Sequence, residues 1–176
     1  MTWTAHRVDA LTDLVDDART ECWRWECQSD YSAIDSTLMR RWRAGLGRDP
    51  AADVDWIEFV GRLRRRGVRF ERLRMLTDPP TEYLRMQLDF SAMNVTAGED
   101  LRWIPAASAA GAPTYDFYLL DDTVAVLRFG ATGHLTSVRV STDPDLVHHH
   151  RAWRDCLWIN AVPHDRMTEV WKAQRR

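Results

Sequence analysis

The sequence is poor in lysine and cysteine, and it has no long apolar run. Lys172 is the only lysine among 24 basic residues, the rest being arginine, a usage that points to a GC-rich coding bias. A Walker loop needs Gly-Lys-Ser/Thr and is therefore absent, and a buried Schiff-base lysine is disfavoured with it. The three cysteines, Cys22, Cys27 and Cys156, form no Cys-x-x-Cys pair. An odd set of this kind fits reduced thiols in a reducing compartment better than a disulfide framework. No window approaches the ~18 consecutive apolar residues of a membrane span. The amino-terminal MTWTAHRVDALTDLVDD is polar and acidic where a signal peptide carries an apolar core, so the expected location is the cytoplasm.

A basic excess is missing too. The 24 Lys and Arg face 26 Asp and Glu, for a net charge of −2 and a pI near 6.3. DNA-binding domains usually show a basic face, so direct nucleic-acid binding is disfavoured. It would require the run Arg62-Leu63-Arg64-Arg65-Arg66 to merge with Arg40-Arg41. At the end of a helix such arginines more simply complement the helix dipole and solvate a face.

What is present describes a globular chain: 176 residues, 45% hydrophobic and 28% charged, enough for one cooperative domain with a sizeable core. Residues 1–67 read as a helical amino-terminal layer. Leu11, Leu14, Val15, Ala18, Cys22 and Trp25 recur at helical steps, and a second helix follows the Ser32 and Asp35 capping pattern with Ile34, Leu38 and Trp42 on one face. A third runs from about Asp55 to Arg66 and stops at Gly67.

Residues 68–163 read as an α+β portion, with residues 164–176 as a short amphipathic tail. VRFERLRML, between Gly67 and Asp78-Pro79-Pro80, is a strand. TEYLRMQLDF alternates with period two yet follows a helix-start signal, and is assigned to a helix; NVTAGED is then a turn and LRWIP a strand. YDFYLL, VAVLRF and HLTSVRV form an antiparallel meander turning at Asp121-Asp122 and at GATG, and Asp143-Pro144 opens a final helix.

Strand, helix, strand, meander, helix predicts an α+β fold: a helical layer on a mixed, mainly antiparallel sheet built from a βαβ unit and three more strands. This order resembles one half of a phospholipase-D-like fold, which implies a His-x-Lys catalytic pair. Here His148-His149-His150 is followed by Arg151, so that motif is missing and phosphodiesterase activity is disfavoured.

A second resemblance rests on Trp25-Glu26 with Tyr31, Arg72-Leu73-Arg74, Tyr83-Leu84-Arg85, Asn94 with Ala97-Gly98-Glu99-Asp100, Leu101-Arg102, and Asp116-Phe117 before Asp121-Asp122. As a set these are similar to an actinobacterial domain family of undefined activity, over about residues 9–163. The resemblance implies a gene beside a helix-turn-helix regulator, and it implies no cofactor or catalytic residue.

Six residues are candidates for one polar pocket. Arg72 shares a strand face with Val68, Phe70 and Arg74. There it either meets a buried carboxylate, Glu26, Glu99 or Asp116, or faces an anionic ligand. If residues 81–95 are helical, Tyr83, Arg85, Glu99, Arg102 and Asp116 converge with it. Glu99 and a nearby arginine could equally satisfy each other across a turn.

No metal site is expected. Consecutive histidines on a helix point about 100° apart, and Cys22 and Cys27 are poorly spaced for zinc. The nine tryptophans are core residues by default, with Trp3 and Trp171 the better candidates for a partner surface.

The reading that follows is a noncatalytic regulatory or interaction module, without a cofactor, that binds a partner such as a helix-turn-helix regulator or senses a small ligand. The alternative is a small enzyme using Glu99 or Asp116 as an acid/base group, with arginine orienting an anionic substrate.

Overall fold

Residues 21–26, Glu-Cys-Trp-Arg-Trp-Glu, are extended near the middle of the sheet, where both faces of the strand are covered. In the computed structural model, which describes residues 2–174, they form β2 (Glu21–Glu26) of an 8-stranded sheet. The other strands are β1 (Thr4–His6), β3 (Arg69–Leu76), β4 (Asp100–Pro105), β5 (Phe117–Leu120), β6 (Thr123–Phe129), β7 (Leu135–Ser141) and β8 (Val162–Pro163). Their order is β1-β7-β6-β5-β2-β3-β4-β8. β2, β3 and β4 run parallel and all other pairings are antiparallel. The helices are α1 (Ala10–Asp16), α2 (Ser36–Arg43), α3 (Val54–Arg65), α4 (Glu82–Phe90), α5 (Ala92–Ala97), α6 (Pro144–Ile159) and α7 (His164–Gln174).

The expected mixed α+β sheet, with a βαβ unit and a β5–β6–β7 meander, is present. The first 67 residues need correction. They supply α1–α3, and they also supply β1 and β2, so the expected helix through Cys22 and Trp25 ends at Asp16. In β2, Trp23 and Trp25 face one side while Cys22, Arg24 and Glu26 face the other, and both sides are covered. Cys22 and Trp25 fall at helical spacing from Ala18 by coincidence, and the alternation of Trp23-Arg24-Trp25-Glu26 is too short to stand out against that longer stripe.

Two smaller corrections follow. α2 starts at Ser36, not Ser32, and Asn94 to Ala97 belong to α5, which stops at Gly98 with φ +111°. The segment TEYLRMQLDF is helical as assigned, over Glu82–Phe90: Thr81 caps α4 by accepting from the Leu84 amide at 3.2 Å. Beyond Pro163 the tail is not a loose appendage, since α7 packs on α4 and β4 and buries Met167.

Parallel register sets Arg24 beside Arg72 and Glu26 beside Arg74, with Tyr118 and Trp103 as lateral neighbours on β5 and β4. This sheet face is apolar at one end, where Cys22, Phe70, Leu120, Leu127 and Val138 pack under Val15, Val60 and Leu63. At the β4 side it is apolar again, around Trp103, Leu84, Met86 and Leu88. The charged residues lie between these two clusters. The opposite face, Trp23, Trp25, Phe117, Leu119 and Val124, is closed by Leu146, Val147 and Leu157 of α6.

Asp121, in the tight β5–β6 turn, holds the entry to β2. Its φ is +49°, a backbone state that Asp tolerates better than most residues. Its carboxylate accepts from the Arg19, Thr20 and Glu21 amides at 2.8, 2.9 and 3.1 Å and from the Thr20 hydroxyl at 2.5 Å. Burial opposes ionisation, but these donors outweigh it and bring the pKa down to about 2. A depressed carboxylate contributes stability above its unfolded pKa, near 4, that is lost as pH falls through about 2. Asp121→Asn, which tolerates the same positive φ, should therefore cost about 1–2 kcal/mol at pH 7, allowing for solvent screening, and most of that cost should be gone by pH 2. Urea titrations of both proteins at the two pH values check this; a cost that persists in acid would show that the ionised carboxylate is not responsible.

Candidate functional site

Between the two apolar clusters, three arginines surround one carboxylate. Glu26 Oε1 accepts from Arg72 Nη1 at 3.0 Å and lies 2.9 Å from Arg24 Nη2, while Oε2 accepts from Arg74 Nε at 2.5 Å. The Glu26 side chain is 3% exposed. Burial alone would raise its pKa, yet Arg24, Arg72 and Arg74 together hold it well below the usual carboxylate range. The second carboxylate of the cluster is Glu99, placed by the Gly98 turn, which accepts from Arg72 Nε at 2.5 Å and from Asn94 Nδ2 at 2.9 Å. Three guanidinium charges thus meet two carboxylates.

α4 closes the cluster with polar side chains one helical turn apart. Gln87 Oε1 accepts from Arg74 Nη1 at 2.7 Å and from the Ser91 hydroxyl at 2.8 Å. Gln87 Nε2 donates to the Tyr83 hydroxyl at 2.7 Å and to Asp35 at 3.0 Å, and the Tyr83 hydroxyl donates to Asp35 at 2.6 Å. Asp35, which the sequence reads as part of a capping pattern, makes no side-chain bond to the α2 amides. It has no cationic partner among the described residues.

Asp116 lies beside this network. It accepts from the Tyr31 hydroxyl at 2.6 Å, the Cys27 amide at 3.0 Å and the Cys27 thiol at 3.2 Å. Burial raises its pKa, and burial and Asp116 together raise that of the Cys27 thiol, which keeps this thiol protonated and unreactive.

A cleft of about 370 Å³ opens onto the cluster, with Arg24, Glu26, Arg72 and Arg74 at its floor. Asp35, Leu38, Arg48, Asp53 and Trp56 are among its walls, Arg48 and Asp53 forming a pair at 2.7 Å. Ile34, at its mouth, is 50% exposed. Two N–H groups of residues that line the cleft, Arg24 Nε and Trp56 Nε1, are buried and have no acceptor among the described residues. Arg72 Nη2 has no acceptor among the described residues either, since that side chain bonds through Nε and Nη1.

Four of the six candidate residues, Arg72, Tyr83, Glu99 and Asp116, belong to this connected region. The other two do not. Arg85 is exposed, near Pro79, Pro80 and Met167 on another side of α4. Arg102 pairs with Asp100 at 2.9 Å and lies 4.3 Å from the Trp158 ring, on the opposite face of the sheet. Glu99 finds its arginine on β3 and not across its own turn. Arg24, Asp35, Arg48 and Trp56 went unnoticed as site residues. Reading Arg24-Trp25-Glu26 beside Arg72-Leu73-Arg74, two charged residues flanking an apolar one in each strand, was the signal that pairs them.

The remaining polar suspects have local roles. Arg66 is engaged by Asp16 and the Ala18 carbonyl, and Arg41 by the Gly47 carbonyl and Asp49. His150 is buried with one ring nitrogen 2.8 Å from the Leu146 carbonyl. No group of three or more His, Cys, Asp or Glu among the described residues could hold a metal ion.

His164 has a consequence for stability. Its Nδ1 accepts from Trp103 Nε1 at 2.9 Å, so the native ring is neutral. Burial, reinforced by Arg74, lowers its pKa to about 4 from an ordinary 6.5. A base with a depressed native pKa contributes fully above 6.5, and the contribution falls away as pH drops from 6.5 to about 4. The loss should be about 2–3 kcal/mol. His164→Gln should flatten the stability profile across that window; a variant with an unchanged slope would place the effect elsewhere.

Comparison with known proteins bears on the fold. A family model described as Domain of unknown function (DUF6879) matches residues 9–169. No curated protein matches. Among solved structures, Nuc from Salmonella typhimurium, a phospholipase D family member, is similar at TM-score 0.53 and 12% identity, over 92% of this chain and 97% of Nuc. TrmBL2, described as an archaeal chromatin protein with a novel mode of DNA binding, is similar at TM-score 0.51 and 12% identity over 92% of this chain. This chain spans 55% of the length of TrmBL2. At such identity the likeness concerns the fold alone, which is phospholipase-D-like.

Proposed function

We propose that this chain, which belongs to the DUF6879 family of domains of unknown function, is a regulatory module that senses a small ligand in the arginine-floored cleft and signals to a partner protein. One observation carries this reading: Arg24 and Trp56, which line a single cleft, each carry a buried donor, Nε and Nε1, without an acceptor among the described residues. A buried unsatisfied donor costs about 1–3 kcal/mol, so a ligand that supplies an acceptor recovers free energy.

The partner is a helix-turn-helix regulator, supported by the gene context that the family resemblance implies. An actinobacterial source is supported by the replacement of nearly all lysine by arginine, and a cytoplasmic location by the free Cys22, Cys27 and Cys156. No helix among the described residues is long and apolar enough to cross a membrane.

Binding is favoured over catalysis by the same geometry. An acid/base role for Glu99 or Asp116 needs a carboxyl oxygen that reaches a substrate. All four oxygens of the two residues are occupied by Arg72, Asn94, Tyr31 and Cys27, and neither residue lines the cleft.

Native mass spectrometry of freshly purified protein, with and without the neighbouring gene's product, tests the proposal. A stoichiometric small-molecule adduct that changes the amount of complex is expected. A clean mass with ligand-independent partner binding would leave a scaffold, and a protein with neither adduct nor partner would refute both parts.

A further inference from the structure

We infer that the cleft takes a small organic carboxylate with an apolar body, which deepens the ligand-sensing reading and rests on it. The donors left free are guanidinium and indole N–H groups: Arg24 Nε, Arg72 Nη2 and Trp56 Nε1. They call for an acceptor-only group, and a carboxylate is planar, acceptor-only and matched to the guanidinium fork.

Charge sets the limit. Within the ion-paired cluster Arg24, Arg72 and Arg74 exceed Glu26 and Glu99 by one positive charge, and Asp35, which lines the same cleft and has no cationic partner among the described residues, offsets it. A monoanion therefore carries the smallest charge that still pairs with the guanidinium fork beside Asp35. Inorganic phosphate, close to a dianion at neutral pH, would bring about twice the negative charge to the same carboxylate.

The apolar part follows from the upper walls. Ile34, Leu38 and the Trp56 ring line the cleft together with the charged floor, and Ile34 is half exposed. A ligand with one charged end and an apolar body covers that surface while its carboxylate reaches the arginines. A bare acetate would satisfy the donors and leave the walls wet.

Thermal-shift and calorimetric titrations with benzoate, benzamide, acetate and inorganic phosphate separate these requirements. Benzoate should raise the midpoint by about 3–6 °C at ten times its dissociation constant, with much smaller effects from the other three. Arg24→Gln should weaken benzoate about 10- to 100-fold, and Trp56→Phe, which keeps a ring and removes the N–H, should weaken it less. Two variants are used because Arg24→Gln still leaves Glu26 paired to Arg72 and Arg74, and Trp56→Phe does not touch the ion cluster.

Equal shifts from benzamide or phosphate would overturn the carboxylate assignment and leave the cleft a ligand site, and equal shifts from acetate would overturn the apolar body. Benzoate binding unchanged in both variants would place the site elsewhere. No response to any probe would reject the class; if the native mass spectrum also lacked an adduct, the sensing reading would fall with it.

Discussion

Glu26→Gln should lose about 3–5 kcal/mol of folding stability, the largest effect of any conservative substitution in the chain. Glutamine keeps the volume and one acceptor oxygen. What it removes is the charge that Arg24, Arg72 and Arg74 share at 2.9, 3.0 and 2.5 Å, and its amide N–H group would point at guanidinium donors. With Glu99 the only carboxylate left in the cluster, mutual repulsion of three buried cations is no longer offset. A domain of this size has about 5–15 kcal/mol in total, so the variant should unfold at much lower urea or fail to accumulate. Glu58→Gln, at an exposed carboxylate on α3, should change stability by less than about 0.5 kcal/mol. Similar small costs for both would mean that the three arginines reach water more freely than their burial indicates.

The same cluster explains which parts of the fold could be read from sequence. Elements with distinct ends were legible: α6 from Asp143-Pro144 and its apolar spacing, the β5–β6–β7 meander from its turns, β3 from Gly67 and Asp78-Pro79. α4 was readable despite its period-two alternation, because Pro80 with Glu82 is a helix start that outweighs the alternation. β2 was not. Trp23-Arg24-Trp25-Glu26 alternates with period two as a strand does, but the run is short, and Cys22 and Trp25 also continue the three- and four-residue steps of Leu11, Leu14, Val15 and Ala18, so the longer helical pattern masked it.

Within the site, legibility followed the need of buried charges for partners. Arg72, Glu99 and Asp116 stood out because a charged residue inside an otherwise apolar segment must find a counter-charge or hydrogen-bond donor. Arg85 and Arg102 failed on parity. Tyr83 and Gln87 share the inward face of α4 at i,i+4, and a residue two positions after Tyr83 points about 200° away. Arg102 sits between Leu101 and Trp103, both of which pack on the cluster side, so the pleat turns it to the other face. The free donors of Arg24 and Trp56 were beyond sequence reading, because an unsatisfied group is defined only once all the neighbours are placed.

Glu99→Gln should separate stability from binding. Glu99 is fully buried and does not line the cleft, and its oxygens serve Arg72 and Asn94 only. In the variant, the amide oxygen continues to accept from Arg72 Nε. The new amide nitrogen faces Asn94 Nδ2, a donor against a donor, until the Asn94 amide turns over and presents its oxygen. Both hydrogen bonds then survive and the charge alone is lost, for an expected cost of about 2–3 kcal/mol in urea titrations. The cluster is left with three arginines and the Glu26 carboxylate, one more positive charge than in the native protein. A bound monoanion offsets that added charge, so benzoate affinity should rise by about 3- to 10-fold while unliganded stability falls, and added benzoate should restore part of the loss. A residue that touched the ligand, or acted on it as an acid or base, would behave in the opposite way. Its removal would lower affinity or activity, and joint loss of stability and benzoate affinity in Glu99→Gln would mean that the arginine charge does not face the cleft.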